Sequence, residues 1–316
     1  MIIYLAKRIT YLIPVIFLLS IFVFAMLHLL PGNPADIMMS GQLTVEDPAM
    51  RTALMKELGL DKPIPVQYGM WLWRALHGNF GRSVYSQVEV STLILSRFPA
   101  TLFLAFSAMI ISILIALPAG IISAVKRQKL ADYGAMTFAL LGVSIPQFWF
   151  GIMLILTFSL WLPWLPSMGY VSPLEDFLGS LKYLLLPSTA LGLRMAGLVT
   201  RMTRSSMLDE LGQDYVRTAR AKGLPERTVV LVHTLKNALI PTVTVVGLQF
   251  GTILGGTVVI EIVFGWPGVG QLLIESIMSR DYMVVQGAIL FISCSFVLVN
   301  FLVDFIYTIL NPRLAF

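Results

Sequence analysis

The chain has 316 residues, of which 57% are hydrophobic and 12% are charged. Soluble domains carry roughly a quarter charged residues, so this composition excludes an ordinary soluble protein and predicts a multi-pass membrane protein. The formal net charge of +5 does not indicate nucleic-acid binding, because the basic residues are spread between apolar runs and form no patch interleaved with aromatic residues.

Six apolar runs are long enough to cross a membrane as helices, which takes roughly 20 residues. The first follows Lys7 and Arg8, and its apolar length exceeds that of a signal peptide, so we expect it to remain as an anchor. The fourth is the weakest, since Pro187 interrupts it and Arg194 lies inside it. The predicted fold is an all-α integral membrane protein with six transmembrane helices, at residues 9–30, 101–125, 135–160, 183–199, 239–264 and 284–310.

Residues 31–99 separate the first two predicted spans. Trp71, Trp73 and Phe80 lie there, and this aromatic content is not typical of a disordered linker. We therefore expect a partly folded extracytoplasmic region, with its tryptophans at the membrane interface. The sequence shows no internal repeat and no second soluble domain, so residues 1–316 are treated as one transmembrane domain.

The distribution of lysine and arginine predicts the orientation, because short cytoplasmic connections are enriched in these residues. With the N-terminus inside, the short outer loops hold only Lys182 and Arg280, and both termini are cytoplasmic. The inner side then holds thirteen basic residues: Lys7, Arg8, Lys126, Arg127, Lys129, Arg201, Arg204, Arg217, Arg220, Lys222, Arg227, Lys236 and Arg313.

The polar stretch between the fourth and fifth spans predicts a helix, a tight turn and a second helix. Residues 214–222 contain no glycine or proline. Gly223 suits the left-handed position after a helix, and Pro225 suits the first turn of the next one. Such an amphipathic element could lie on the anionic inner leaflet. Its acidic residues Asp214 and Glu226, with Asp209 and Glu210 nearby, would be repelled there and favour a protein partner instead.

The fifth span carries Gly247, Gly251 and Gly255, a stripe of small residues that allows close helix packing or lines a translocation pathway. Proline at positions 118, 146 and 163 predicts kinks within or at the ends of spans. Cys294 lies in an apolar run, and a single cysteine excludes an internal disulfide framework.

The sequence lacks the motifs of an enzyme. There is no G-x-x-x-x-G-K-[ST] phosphate loop and no H-E-x-x-H, and His28, His77 and His233 lie on three separate segments. Energy must come from another subunit or from an ion gradient. An ion-coupled transporter needs ionisable residues within its spans; the candidates, Arg194, Glu261 and Asp304, are first interpreted as paired or snorkelling residues.

The segment DYVRTARAKGL at 214–224, followed by LKNALIP at 235–241, resembles the EAA loop of permeases of binding-protein-dependent ABC importers, in the dipeptide, oligopeptide and nickel branch. Arg217, Thr218 and Ala219 stand at the glutamate-alanine-alanine positions, where only the second alanine matches, and Gly223 matches the glycine. Further stretches resemble this branch in order along nearly the whole chain: LPGNP at 30–34, LGLDKPIPVQY at 58–68, GNFGRS at 78–83, RMTRSSML at 201–208, EIVFGWPGVG at 261–270, RDYMVVQ at 280–286 and NPRL at 311–314.

The resemblance implies a pore-forming permease of the type I ABC importer fold in the bacterial inner membrane, with residues 201–238 as the cytoplasmic coupling loop. It implies these partners besides membrane lipid: a second homologous permease, two ATPases that bind ATP and Mg²⁺ in place of this chain, and an extracytoplasmic solute-binding protein that meets a loop at Trp266, Pro267 and Gly268. The cargo is expected to be a peptide, with a nickel chelate or glutathione as alternatives; an ion-coupled secondary transporter is the less favoured class. The expected ATPase-coupling residues are Asp214, Tyr215, Arg217, Ala219, Arg220, Gly223, Pro225 and Glu226.

Overall fold

The computed structural model describes residues 2–29 and 61–310. Helices dominate the described part of the chain. They are α1 (Ile2–Leu29), α2 (Ile64–Leu76), α3 (Val90–Val125), α4 (Leu130–Ser144), α5 (Gln147–Ile155), α6 (Phe177–Leu211), α7 (Asp214–Ala221), α8 (Glu226–Thr228), α9 (Leu235–Gly256), α10 (Val258–Phe264), α11 (Val269–Met278) and α12 (Tyr282–Leu310), with π-helical turns at Leu156–Trp161 and Val229–Thr234.

The chain forms two compact units. Unit 1 contains Leu102–Trp266 and the end of α12 from Leu298, and unit 2 contains Ile2–Thr101 and Pro267–Val297. The long helices α3 and α12 therefore each contribute one end to each unit.

Helix α6 is the central element of unit 1. About two-thirds of its most apolar window is buried. It approaches α3 and α4 closely because glycines lie at the contacts: a methyl group at Gly192 would lie 2.8 Å from the Ala108 carbonyl oxygen, and one at Gly142 would lie 2.9 Å from that of Leu193. Such backbone-to-backbone packing is typical of membrane helices.

The fourth predicted span is stronger than its sequence indicates. Helix α6 runs without a break through Pro187 and begins at Phe177, well before residue 183. Asp176 caps its start by accepting a hydrogen bond from the Gly179 amide at 2.9 Å. After the proline, the Ser188 hydroxyl donates to the Leu184 carbonyl at 2.6 Å. Tertiary packing and local hydroxyl bonds thus stabilise a helix that contains a proline.

The third predicted span, 135–160, is not one straight helix. Helices α4 and α5 meet at an angle of 102° across Ile145 and Pro146. A kink at Pro146 was predicted, but a break of this size was not. Proline lacks an amide hydrogen and disfavours helix at the residue before it, which explains the position of the break.

The described residues contain four helical stretches that are long and apolar enough to cross a membrane, and up to six spans if two bent helix pairs are each counted as one. The second pair, α10 and α11, was not predicted. The predicted fifth span, 239–264, is divided into α9 and α10. In α1 the apolar stretch is shorter, Thr10–Met26. The motifs at 30–34 and 311–314 lie outside the described residues.

Unit 2 is held together by a buried polar contact and an apolar cluster. The Ser83 hydroxyl donates to Asp281 Oδ2 at 2.5 Å, and Asp281 is only 3% exposed. The Thr101 hydroxyl accepts from the Val269 amide at 2.9 Å, at the start of α11. The first bond joins the residue before α12 to the segment before α3, and the second joins the start of α11 to α3 itself. The cluster around them is formed by Val90, Ile94, Val269, Leu272, Val284 and Ala288.

Candidate functional site

The connection between α6 and α9 has the helix-turn-helix form that the sequence predicts. Helix α7 lies over a small apolar cluster in which Val216, Ala219 and Val229 are buried and Leu211 packs against them. The first two face inward because residues three apart share one side of a helix. The short α7 is therefore stabilised by packing, since eight residues are too few for a stable isolated helix.

The turn after α7 depends on Gly223. Its φ is +77°, and a β-carbon there would meet nothing within 4 Å. The Gly223 amide donates to the Arg220 carbonyl at 2.9 Å, which ends the helix, and Pro225 then precedes α8. The requirement for glycine is therefore conformational and not steric, because L-residues with a side chain disfavour positive φ.

An ion pair spans this turn. Arg220 donates to both carboxylate oxygens of Glu226, at 3.1 Å from Nε and 2.7 Å from the terminal nitrogen, and this bond raises the pKa of Arg220. The two side chains are 42% and 56% exposed. The Arg217–Asp214 pair is longer, 3.4 Å, and almost fully exposed. Only the first pair has the bidentate geometry that fixes an angle between two segments.

Tyr215 joins α7 to both flanking long helices. Its hydroxyl donates to Glu210 at 2.5 Å and accepts from the Asn237 amide nitrogen at 3.2 Å. Burial raises the pKa of Tyr215, and the bond to Glu210 raises it further. Tyr215 was expected among the coupling residues, but Asn237 was not identified as its partner, because no local spacing indicates a contact across 22 residues.

The outer side of this element exposes both charged and apolar groups. We define the docking surface as the exposed residues Asp214, Arg217, Leu224, Arg227 and Val232. Leu224 is 38% exposed and Val232 is 57% exposed. Apolar side chains surrounded by charges of both signs fit a protein partner better than an anionic lipid surface.

Unit 1 also contains a buried ion pair that no sequence pattern indicated. Asp132 accepts two hydrogen bonds from Arg204, at 2.7 and 2.9 Å, one from the Ser123 hydroxyl at 2.5 Å, and one from the Gln128 amide at 2.9 Å. Asp132 is 3% exposed. This carboxylate therefore joins the end of α3 and the start of α4 to α6, the helix that leads into the docking surface.

The three glycines of α9 occupy different environments. A methyl at Gly247 would lie 2.5 Å from Val303, and one at Gly251 would lie 2.8 Å from Asn300, so both positions pack against the end of α12. Gly255 has nothing within 4 Å of such a methyl.

The loop after α10 presents little surface. Trp266 is 0% exposed and packs its ring against Tyr170, with centroids 4.8 Å apart. Pro267 is half-buried and Gly268 is buried. The Trp266 side chain is therefore a core residue, and a binding-protein contact for this loop stays a prediction.

The ionisable residues predicted within the spans differ in how far they are exposed. Glu261 is 0% exposed, whereas Arg194 is exposed. The side chain of Asp304 and that of His28 lie outside the described part. In that part no group of three or more His, Cys, Asp or Glu side chains has the arrangement of a metal site.

Comparison with known proteins identifies the family. A family model described as "Binding-protein-dependent transport system inner membrane component" matches residues 116–316, and the model of its N-terminal part matches residues 1–105. The chain belongs to this family. It is a multi-pass inner-membrane permease that works with ATPase and binding-protein partners, so it is a transport component and not an enzyme.

Relatives of this permease match it over nearly its whole length. It is 43% identical to the di/tripeptide transport system permease protein DppB of Pseudomonas aeruginosa (98% of each chain covered). It is 42% identical to the glutathione transport system permease protein GsiC of Escherichia coli strain K12 (99% of each). An inward-facing structure of the MetNI methionine ABC transporter matches 69% of the permease and 96% of that chain, with 19% identity and a TM-score of 0.58, which shows the common fold.

Proposed function

We propose that this permease forms one half of the pore of an ATP-driven importer and that its docking surface, between α6 and α9, receives an ATPase subunit. The observation that supports this proposal is the geometry of the connection between α6 and α9. A short amphipathic helix is packed on one side, tied by Tyr215 to both flanking long helices, and exposed on the other side. A force on the exposed side would therefore reach α6 and α9 directly.

The proposed assembly contains a second, similar permease, two ATPases and a solute-binding protein. Closure of the ATPases on nucleotide would move the docking surface, and the spans would pass from an inward-open to an outward-open state. Both termini would lie in the cytoplasm, which the distribution of basic residues favours. In this arrangement the chain itself binds neither ATP nor Mg²⁺.

The proposed cargo is a short peptide. One relative is named as a di/tripeptide permease and another as a glutathione permease. Glutathione is itself a modified tripeptide, so it is the second candidate. Selectivity would lie mainly in the binding protein, since a pore that held its cargo tightly would release it slowly.

Reconstitution tests this proposal. The permease, its partner permease, the ATPases and the binding protein are assembled in proteoliposomes, and uptake of labelled alanyl-alanine, glutathione and a nickel chelate is compared. We expect ATP-dependent uptake of the dipeptide that is absent without the binding protein. Peptide uptake without ATP or without the ATPases would contradict the proposed mechanism, and exclusive uptake of the nickel chelate would contradict the cargo.

Orientation has its own test. Single cysteines at Gln128, Lys222 and Glu175, in a Cys294→Ser background, are treated in intact cells with a thiol reagent that does not cross the membrane. We expect labelling at position 175 only, since residues 128 and 222 lie on the proposed cytoplasmic side. Labelling of position 222 from outside would overturn both the orientation and the docking role.

A further inference from the structure

Arg194 lies in the middle of a membrane helix. Helix α6 has 35 residues, and Arg194 is the eighteenth. At a rise of about 1.5 Å per residue, it is about 18 Å along the axis from Lys182 and about 10 Å from Arg201. This stretch of α6 has no other charged residue. An arginine therefore lies well inside the apolar zone of the candidate span with the largest buried share in the described part of the chain.

A polar pocket of unit 1 has Arg194 in its wall. The pocket has a volume of ≈ 170 Å³ and is lined by Gln147, Arg194, Gln249 and Thr252 together with the apolar Leu191, Met195 and Ile253. Gln147 is the first residue of α5, just after the 102° break. The break thus brings a glutamine to the same pocket as residues of α6 and α9.

The polar atoms of the pocket are mostly unused hydrogen-bond donors. Within the described residues, Arg194 forms neither an ion pair nor a hydrogen bond, and the side chain of Gln147 has no partner. The Thr252 hydroxyl donates to the Gln249 carbonyl oxygens of main chain and side chain, at 2.8 and 3.1 Å. The Gln249 amide nitrogen therefore keeps both of its hydrogens for another acceptor.

The position of Arg194 indicates contact with water and not with lipid. A charged residue facing lipid at this depth is strongly unfavourable, and such residues face water-filled cavities or bind partners. Snorkelling would have to bridge about 10 Å to the level of Arg201, further than an arginine side chain extends. The exposed fraction of Arg194 is therefore assigned to the translocation pathway.

We propose that Arg194, Gln147 and Gln249 form a transit subsite that binds a carboxylate group of the cargo as it passes through the pore. This inference rests on the proposed uptake of peptides, every one of which with a free C-terminus carries such a group. The described wall of the pocket supplies a cation and two amides and contains no acidic residue. A guanidinium binds a carboxylate through two parallel hydrogen bonds, a geometry that lysine does not offer.

The test uses a method that detects weak binding to the permease in the absence of the binding protein. Saturation-transfer NMR is recorded on the assembled permease–ATPase complex in nanodiscs, with alanyl-alanine and with its C-terminal amide as probes. The free acid should give the stronger signal, with an apparent affinity roughly tenfold above that of the amide, the change expected from one charge-assisted contact. Arg194→Gln should remove this difference, and Arg194→Lys should restore it in part.

Lys182→Gln is the matched control, because it removes an exposed positive charge from the same helix outside the pocket; it should leave the difference unchanged. If Arg194→Gln does not assemble, Gln249→Leu removes a donor from the pocket without changing its charge and should weaken binding of the free acid severalfold. Equal signals for both probes in the wild type, a difference that persists in Arg194→Gln, or unchanged binding of the free acid in Gln249→Leu would overturn the proposal. Loss of ATPase co-purification in Arg194→Gln, with Gln249→Leu behaving as wild type, would instead assign Arg194 to an ion pair with the second permease.

Peptide uptake in proteoliposomes separates this inference from the proposed function. Uptake of alanyl-alanine without any discrimination by Arg194 would leave the function intact and exclude the subsite. Binding that depends on Arg194, without peptide uptake, would leave the carboxylate subsite intact and exclude the peptide cargo.

Discussion

Two ion pairs in unit 1 use the same chemistry in different surroundings. Asp132 and Arg204 have side chains that are 4% and 26% exposed, whereas those of Glu226 and Arg220 are 56% and 42% exposed. The buried carboxylate accepts four hydrogen bonds from three residues. The exposed one is paired across a single turn. The first pair therefore holds helices together, and the second sets the direction of a surface segment.

The surroundings of an ion pair determine how much stability is lost when one of its two residues is removed. Breaking a buried pair leaves an uncompensated charge and costs about 3–5 kcal/mol, while exposed pairs contribute about 0–1 kcal/mol. A permease can thus combine a rigid bundle with a docking surface whose local bonds are weak. Variants of the two regions should separate stability from coupling.

The largest effect is expected for Asp132→Ala. The substitution leaves Arg204 partly buried without its acceptor, and it also frees the Ser123 hydroxyl and the Gln128 amide. We expect a loss of about 3 kcal/mol, seen as a lower thermal unfolding temperature and a lower yield of the purified permease. Glu226→Ala is the control and should unfold like the wild type. Equal stability of the two variants would show that burial does not distinguish the pairs.

Gly223→Val should impair coupling more than stability. A β-branched residue at φ +77° costs about 1–2 kcal/mol of local strain, and the open space around Gly223 means that no steric clash adds to it. The variant should insert normally but lose most ATPase co-purification and uptake. Gly134→Ala, at a helical position with equally open surroundings, should have no effect. Normal uptake by Gly223→Val would reduce Gly223 to an ordinary turn residue.

Tyr215→Phe should produce a smaller and more specific defect. The change keeps the ring but removes the bonds to Glu210 and Asn237, each worth about 1 kcal/mol. We expect ATPase binding to remain and the amount of cargo transported per ATP hydrolysed to fall, because α7 is no longer tied to α6 and α9. The ratio is measured in proteoliposomes against Tyr133→Phe, an exposed tyrosine on α4. An unchanged ratio would indicate that packing alone transmits the movement.

The smallest effect is expected for the exposed pair. Arg220→Glu alone places two like charges across the turn and should lower ATPase co-purification about two- to fivefold, in keeping with an exposed pair. Combining it with Glu226→Arg should restore part of the loss, and high salt should weaken the difference. If the double variant is as defective as the single one, Arg220 contacts the partner directly instead of orienting the turn.

The docking element was predictable because its information is local. Gly223 and Pro225 are only two residues apart in the sequence and act on their own backbone, so helix, turn and helix follow from them. The pairs Asp132–Arg204 and Tyr215–Asn237 are separated by 72 and 22 residues, and their contacts depend on how the helices pack. Neither a motif nor a spacing indicates them.

The spans show the same limit. Length and apolar content locate α3, α6 and α12, but not the 102° break at Pro146 or the bent pair α10–α11. A proline predicts a kink, whereas the size of the angle depends on neighbouring helices. Arg194 illustrates the consequence: it was interpreted as a paired or snorkelling residue, because the true start of α6, at Phe177, was not visible in hydrophobicity.

The close glycine contacts of α6 also restrict how unit 1 can move. At Gly192 and Gly142, carbonyl oxygens of the neighbouring helix occupy the place of a side chain. Sliding α6 by one residue would drive a β-carbon into such an oxygen, so shear between α3, α4 and α6 is blocked. We therefore expect changes of state to occur as hinge rotation, with the three helices turning as one body and the chain bending where helices already end, as at Thr257 between α9 and α10.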